Sequence, residues 1–340
     1  MSRYGILNFS TDTEVESKII HDEHIHCYQC CHEDDLPDSI SGLEACMVWH
    51  EITLSKKTLD RMKKCKIIVC VGVGYNNIDI KYAGQLGIVV VNIPDYGTND
   101  VADHTLALLL SMCRKINVYN SKLLENPVDN WNPGIGGEIR RITGTILGIA
   151  GLGRIGSAVA IRAKSFGMSI SFYDPYIPDG YDKVLNVNRC SSLNELFETS
   201  DYVSVHTPLT AETKYFINAG VINNCKEGLT LINTARGAII DLDAVYVALK
   251  ENRLKAFASD VMPDEPPDEN HPFFISYRNK ESWIDGRVIL TPHAAFYAVE
   301  SRYEMRIKSA QQMQNAIKGI PVRNCVNRDY LINERCNVYV

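Results

Sequence analysis

One stretch, TILGIAGLGRIGSAVAIRAKSFGMSISFYDPY, constrains the fold more than any other. An apolar run, TILGIA, feeds straight into Gly151-Leu152-Gly153-Arg154-Ile155-Gly156. A helix-forming segment follows and closes at Gly167. A second apolar run then ends on Asp174, 18 residues past Gly156. Strand, glycine turn, helix and strand in that order make a βαβ unit with parallel strands. Each glycine has its own reason. Gly151 permits the tight turn, Gly153 lets the backbone approach a pyrophosphate, and Gly156 lets helix and strand pack closely. Arg154 and Ile155 open the helix, whose first amides and dipole favour phosphate. Asp174 can accept hydrogen bonds from both hydroxyls of an adenosine ribose, and its charge would repel a 2′-phosphate. The expected cofactor is therefore NAD rather than NADP. A G-x-G-x-x-G alone also fits a tight turn that binds nothing, but the flanking strand, helix and acid argue against that.

The chain has 340 residues, long for one compact domain and natural for two. Its first hundred residues alternate short apolar runs (RYGILNF, IHCYQC, EACMVW, KIIVCVG, IVVVNI) with helix-forming stretches. Strands with unbroken apolar character belong to parallel sheets covered on both faces. A long helical stretch, TNDVADHTLALLLSMCRKINVYNSKLLE, leads into the connector NPVDNWNPGIGG, and a second alternating series starts at TILGIAG. The last long helix has little after it to pack against, so it is expected to return to the first domain. The expected fold class is α/β, with two doubly wound parallel-sheet domains. A discontinuous domain, residues 1–120 plus 296–340, would carry an inserted dinucleotide domain, residues 121–295.

Composition removes several classes of function. A net charge of −6 without a basic run argues against nucleic acid and anionic membranes as partners. No apolar run reaches the ~20 residues of a membrane span, and the N-terminus lacks a signal-peptide core. Eleven cysteines scattered through apolar stretches suit reduced thiols in a cytoplasmic protein. The segment HDEHIHCYQCCHE, residues 21–33, invites a zinc reading. Its spacing fits no standard ligand framework, and strand alternation throws neighbouring residues to opposite faces. No metal is expected.

Three further groups follow apolar strands. LINTARGAIIDLDAV places Arg236 after one strand, FASDVMPDEPP places Asp260 and Glu265 after another, and ILTPHAAF places His293 after a third. Ligands of doubly wound sheets bind beyond the carboxyl ends of the strands, so these residues should share an edge with the glycine turn. Arg236 can grip a carboxylate bidentately. His293 can give a proton to a carbonyl oxygen, and Glu265 can fix its tautomer. Each has a plain alternative: a core histidine, an Arg236–Asp241 ion pair, a solvated loop acid. Three strand-end placements together favour function. His104 and His206 are further candidates for this edge, while His50 reads as a strand-end residue. Trp131 suits either a closure over the site or a buried anchor.

The motifs GLGRIG…YDP, NTARG…D, DV…EP and TPHAA, with GVGYNNIDIKYAGQLGI and VADHTLALLL before them, resemble the D-isomer-specific 2-hydroxyacid dehydrogenase family over almost the whole chain. The resemblance implies Arg236, Glu265 and His293 as the catalytic set. It implies Asp260 on the nicotinamide carboxamide, with Thr234, Ala235 and Thr105 lining that pocket and His206, Thr207, Pro208 and Thr213 flanking the adenosine side. It implies substrate contacts from Val73, Gly74 and Phe296, besides Arg236 and His293, and a homodimer built through the helix at about 100–124. Within the family, FYDPYIPDG, TPHAAFY and NCVNRDYL resemble the C-terminal-binding-protein branch. That branch has a tryptophan where this chain has Phe296, and an arginine where it has Cys70, so substrate identity does not carry over. The expected activity is reduction of a 2-oxo acid to a D-2-hydroxy acid with NADH. An NAD-gated scaffold, or a reductase acting on a phosphonate or sugar acid, are the alternatives. The charged segment 266–286 reads as a lid or a contact surface.

Overall fold

A computed structural model describes residues 3–7, 12–21, 25–30 and 32–339. The chain divides into two units, one of Met1–Gly97 with Tyr297–Val340, the other of Thr98–Phe296.

The first unit holds a parallel sheet of β1 (Tyr4–Leu7), β2 (Ile25–Tyr28), β3 (Ala45–Val48), β4 (Ile67–Cys70) and β5 (Val89–Asn92), ordered β2-β1-β3-β4-β5. This is the flavodoxin-like doubly wound order. Residues Ala45–Val48 and Ile67–Cys70 are at most 2% exposed, which is why their sequences read as unbroken apolar runs. Helix Val299–Lys318 lies over β3 and β4 and buries Met305, Ala310 and Met313. The tail beyond it is not merely polar. The buried Asn327 side chain accepts from Val90 N at 2.9 Å and donates to Ile88 O at 2.9 Å.

The second unit holds β6 (Ile146–Ala150), β7 (Ser169–Tyr173), β8 (Asn188–Arg189), β9 (Tyr202–Val205), β10 (Leu229–Asn233), β11 (Leu254–Ser259) and β12 (Val288–Leu290). They are all parallel and ordered β12-β11-β10-β9-β6-β7-β8. Strand order reverses between β6 and β9, the switch point at which such sheets bind ligands. Pairing sets Ala150 beside Val205, Val205 beside Asn233, Asn233 beside Ser259 and Ser259 beside Leu290. The next residue of each strand therefore falls in one row at the carboxyl edge: Gly151, His206, Thr234, Asp260 and Thr291.

Three expectations need correction. The boundary expected near residue 120 falls at 97/98 instead. Helix Thr98–Arg114 belongs to the second unit, because Ala102, Leu106, Leu109 and Met112 share a core with Leu147, Ile149, Val159 and Ala163. Arg162 also reaches back from helix Arg154–Lys164 to Asp103 (2.6 Å) and Asn99 (3.0 Å). Second, the long helical stretch is two helices, Thr98–Arg114 and Ile116–Glu125, broken where Lys115 turns left-handed at φ 56°. Third, segment 266–286 is anchored rather than lid-like. Helix Pro272–Arg278 buries Phe273 and Phe274 in the core that holds Phe257, and the charged residues lie outside.

Candidate active site

The glycine turn is built as its sequence requires. Gly151 has φ 96°, and a Cβ there would lie 2.9 Å from the backbone of His206 and Thr207. A Cβ on Gly156 would sit 2.1 Å from Gly151 O. Gly153 differs: a Cβ there would meet nothing within 4 Å. Its backbone caps helix Arg154–Lys164, and no side chain caps that terminus. The first amides are thus presented to open space at the end with the positive dipole. The Asp174 carboxylate accepts from Leu152 N at 2.9 Å and from Tyr176 N at 3.0 Å, which ties the end of β7 to the turn.

On the neighbouring strand end, His206 N donates to Ala150 O at 2.7 Å, and the ring Nε2 pairs with Ser204 Oγ at 2.8 Å. Burial pushes the imidazole down to about 3, so it is neutral at physiological pH. His206 Nδ1 and Thr207 Oγ1 are buried without a hydrogen-bond partner among the described residues. Buried polar atoms of this kind call for a polar ligand. Thr213 closes its own loop: its hydroxyl donates to Pro208 O at 2.6 Å.

Arg236 leaves β10 on a turn fixed by Asn233, which is 1% exposed. Asn233 Oδ1 accepts from Ala235 N and Nδ2 donates to Arg236 O, both at 3.0 Å. One Arg236 Nη donates to Ala235 O at 2.6 Å. Asp241, the ion-pair partner considered above, instead caps helix Leu242–Lys250 through Asp243 N and Ala244 N. Gly237 lets the turn press on the next strand-end loop, where a Cβ would fall 1.8 Å from Met262 C. That loop carries Glu265, whose Oε1 accepts from Met262 N at 3.0 Å and whose Oε2 meets His293 Nδ1 at 2.6 Å. Burial works to raise the Glu265 carboxyl. The hydrogen bond and charge of His293, with help from Met262 N–H and Arg236, outweigh it and hold the group below its ordinary 4.5. The His293 and Glu265 side chains keep 23% and 35% of their surface, enough for a small molecule to reach them. The Phe296 ring stands edge-on to His293, with centroids 6.0 Å apart.

Asp260 organises the loop that carries His293. Its carbonyl accepts His293 N–H at 2.7 Å. One carboxylate oxygen accepts Ala294 N–H (2.8 Å) and the Thr291 hydroxyl (2.5 Å), and the other accepts Ala295 N–H (2.9 Å). Thr234 pairs with Thr105 through their hydroxyls at 2.8 Å. Arg236, Glu265, His293, Asp260, Thr234 and Thr105 thus all lie in the second unit.

Val73 and Gly74 lie in the first unit, on the turn after β4, where Asn92 Nδ2 holds Val73 O at 2.7 Å. Cys70 is 2% exposed in that unit's core, and burial pushes its thiol up to about 12. Among the described residues, no group of three His, Cys, Asp or Glu is placed to hold a metal. Residues 22–24 and 31 of the histidine- and cysteine-rich stretch lie outside the described ones. Asn233, Ser259, Gly237 and Thr291 escaped the sequence analysis. They are neutral residues at strand ends, and their one sequence signal is position just after an apolar run.

An Arg beside a Glu–His pair, on the strand edge that also carries a phosphate-type glycine turn, can bind an anion and move a proton next to a dinucleotide. Residues 106–295 match the family model described as D-isomer specific 2-hydroxyacid dehydrogenase, NAD binding domain. The chain is 33% identical over 307 residues to C-terminal-binding protein 1 of Caenorhabditis elegans, covering 88% of this chain and 40% of that one. It is 33% identical over 304 residues to D-3-phosphoglycerate dehydrogenase of Methanocaldococcus jannaschii, covering 89% and 55%. The chain therefore spans about half the length of these relatives or less. D-lactate dehydrogenase from Aquifex aeolicus, solved with NAD and lactic acid, superposes with a TM-score of 0.79 at 29% identity, covering 93% of this chain and 96% of that one.

Proposed function

The chain belongs to the D-isomer-specific 2-hydroxyacid dehydrogenase family, and from that premise we propose that it is an NAD-dependent oxidoreductase reducing a small 2-oxo acid to its D-2-hydroxy acid. The observation that carries the reading is the 2.6 Å Glu265–His293 pair beside the Arg236 turn, on the strand edge that holds the glycine turn.

The second unit is the dinucleotide domain in this reading. The amides at the start of helix Arg154–Lys164 receive the pyrophosphate over Gly153. Asp174 receives the adenosine ribose, and Thr207, Pro208 and His206 bound the adenosine side, with Thr213 bracing their loop. Thr234, Ala235 and Thr105 line the nicotinamide pocket, next to Asp260. NADH held by these residues would supply a hydride to the substrate carbonyl carbon. Arg236 grips the substrate carboxylate and holds the carbonyl in line. His293 gives its proton to the carbonyl oxygen from Nε2, the ring nitrogen not committed to Glu265. Glu265, ionised because its carboxyl lies below 4.5, keeps Nδ1 protonated and stabilises the imidazolium. In the oxidative direction the same nitrogen takes the proton back. Phe296 borders His293 and fills the position closest to the substrate side chain. Leu124, Val128 and Trp131 expose 78%, 83% and 80% of their surface, and we assign these apolar side chains to a contact with a second copy of the chain in a homodimer. Free thiols throughout the described residues support placing the protein in the cytoplasm.

The test is NADH oxidation against a panel of 2-oxo acids, from glyoxylate and pyruvate to bulky, phosphorylated and phosphonate analogues, beside His293→Gln. Turnover of one member that falls at least ~100-fold in the variant, with NADH affinity kept, is the expected result. Tight NADH binding without turnover of any member refutes the dehydrogenase and favours an NAD-gated scaffold.

A further inference from the structure

We propose that His104, on helix Thr98–Arg114, is a positioning residue for the acid–base histidine, acting through Thr291 and Asp260. The inference rests on the reading of His293 as the proton donor, but it concerns a contact network that reading does not use.

His293 needs support from outside its own backbone. It sits at φ 52°, in the left-handed region that a side-chain-bearing residue adopts only at a cost of order 1 kcal/mol or more. What holds it there is Asp260, through its carbonyl to His293 N–H and its carboxylate to the next two amides. The Asp260 side chain is 1% exposed, so its own orientation is set by protein groups. Besides those two amides, the Thr291 hydroxyl holds it, 2.5 Å from Oδ1.

A threonine hydroxyl has one proton, and a carboxylate oxygen accepts. Thr291 therefore donates to Asp260, and its oxygen lone pair faces His104 Nε2 at 3.0 Å. That oxygen can accept only if His104 carries its proton on Nε2, so the network fixes the tautomer. The direction of every bond then follows: His104 to Thr291, Thr291 to Asp260, and three backbone amides of the catalytic loop to Asp260. His104 Nε2 also lies 3.7 Å from Asp260 Oδ1, so the two groups face one another directly. Helix Thr98–Arg114 thus reaches the strand-end row twice, through Thr105 at Thr234 and through His104 at Thr291. Without the Nε2 donor, the Thr291 hydroxyl is free to rotate off the carboxylate. The loop carrying His293 then loses the restraint that reaches it from helix Thr98–Arg114.

The experiment compares His104→Leu with His104→Gln, whose amide nitrogen reaches the place of imidazole Nε2 and donates as it does. His104→Leu should lower kcat about tenfold, short of the ~100-fold of a 1 Å misplacement, with KM for NADH and the thermal midpoint unchanged. His104→Gln should restore kcat to near the wild-type value. Thr291→Val should match His104→Leu, and the double variant should lose no more than either alone, because both cut one chain of bonds. A second readout is independent of turnover. In ¹⁵N-histidine NMR spectra, His104 should show a protonated Nε2. The His293 ring signals should move in His104→Leu and return in His104→Gln. Wild-type kcat in His104→Leu with unmoved His293 signals overturns the inference, as does equal loss in the Leu and Gln variants. If no 2-oxo acid is turned over by the wild-type chain, the functional reading fails and the NMR comparison alone decides this one.

Discussion

Replacing Gly153 by alanine separates a binding role from a packing role within a single turn. A Cβ at Gly153 would meet no atom within 4 Å, and its backbone is extended at φ −73°, which alanine adopts without strain. The folded state should therefore keep its stability, or gain up to ~1 kcal/mol because alanine restricts the unfolded chain. The loss should appear in NADH affinity, because a methyl group would stand where the pyrophosphate must approach the backbone. A weakening of tenfold or more, about 1.4 kcal/mol, is the expected size. Gly156→Ala is the control. Its Cβ would lie 2.1 Å from Gly151 O, more than 1 Å inside ordinary contact, so helix and strand must part. Overpacking of that kind costs about 1–3 kcal/mol and should lower the thermal midpoint by roughly 2–4 °C per kcal/mol in a unit of this size. Fluorescence titration with NADH and thermal denaturation, run on both variants, give the two readings. A Gly153→Ala protein that binds NADH as tightly as wild type would refute the placement of the pyrophosphate.

Three other outcomes follow from the geometry. Asp174→Ala should weaken NADH about tenfold and narrow the preference over NADPH in competition titrations, since it removes the charge facing the ribose; an unchanged preference would remove Asp174 from that role. Gly237→Ala, with its Cβ 1.8 Å from Met262 C, should drive the Arg236 turn from the Glu265 loop and cut kcat by ~100-fold while sparing NADH affinity, as stopped-flow kinetics and titration would show. The Glu44 carboxyl is held down to about 2, chiefly by the Arg3 hydrogen bond, with Lys66 adding to it. A depressed carboxyl stabilises the fold above its ordinary 4.5, and that contribution is lost as pH falls from there toward 2. Glu44→Gln should therefore flatten the fall of the melting temperature over that window, and a parallel fall in both proteins would contradict the assignment.

The fold class, and the placement of Arg236, Glu265 and His293 along one strand edge, were legible because each rests on a local pattern with one physical meaning. A glycine turn between strand and helix, and charged residues placed just after apolar strands, point to one sheet edge whatever surrounds them. The domain boundary was not legible. The apolar stripe of helix Thr98–Arg114 states that it packs, not against which core, and Val159 and Ala163 lie some fifty residues further along the chain. The break at Lys115 carries no glycine or proline, since a lysine holds the left-handed conformation there. In segment 266–286 charged neighbours masked Phe273 and Phe274, the two residues that anchor it. The support beneath Arg236 and His293 was equally hidden. Asn233, Thr291 and Ser259 work by hydrogen bonds that only the register of five strands brings into line.

The interrupted course of the first unit has a consequence for synthesis. Its last strand, β5, ends at Asn92, yet helix Val299–Lys318, which covers β3 and β4, emerges some two hundred residues later. At ~5–20 residues per second, the ribosome needs roughly 10–40 s to make the intervening chain. The second unit is contiguous and can close during that interval, while the first waits with one apolar face of its sheet bare. The nascent chain is therefore expected to mature in inverse order, the inserted unit first and the enclosing one last. Its period of greatest need for a chaperone begins when β4 leaves the exit tunnel and ends only when Met305, Ala310 and Met313 arrive.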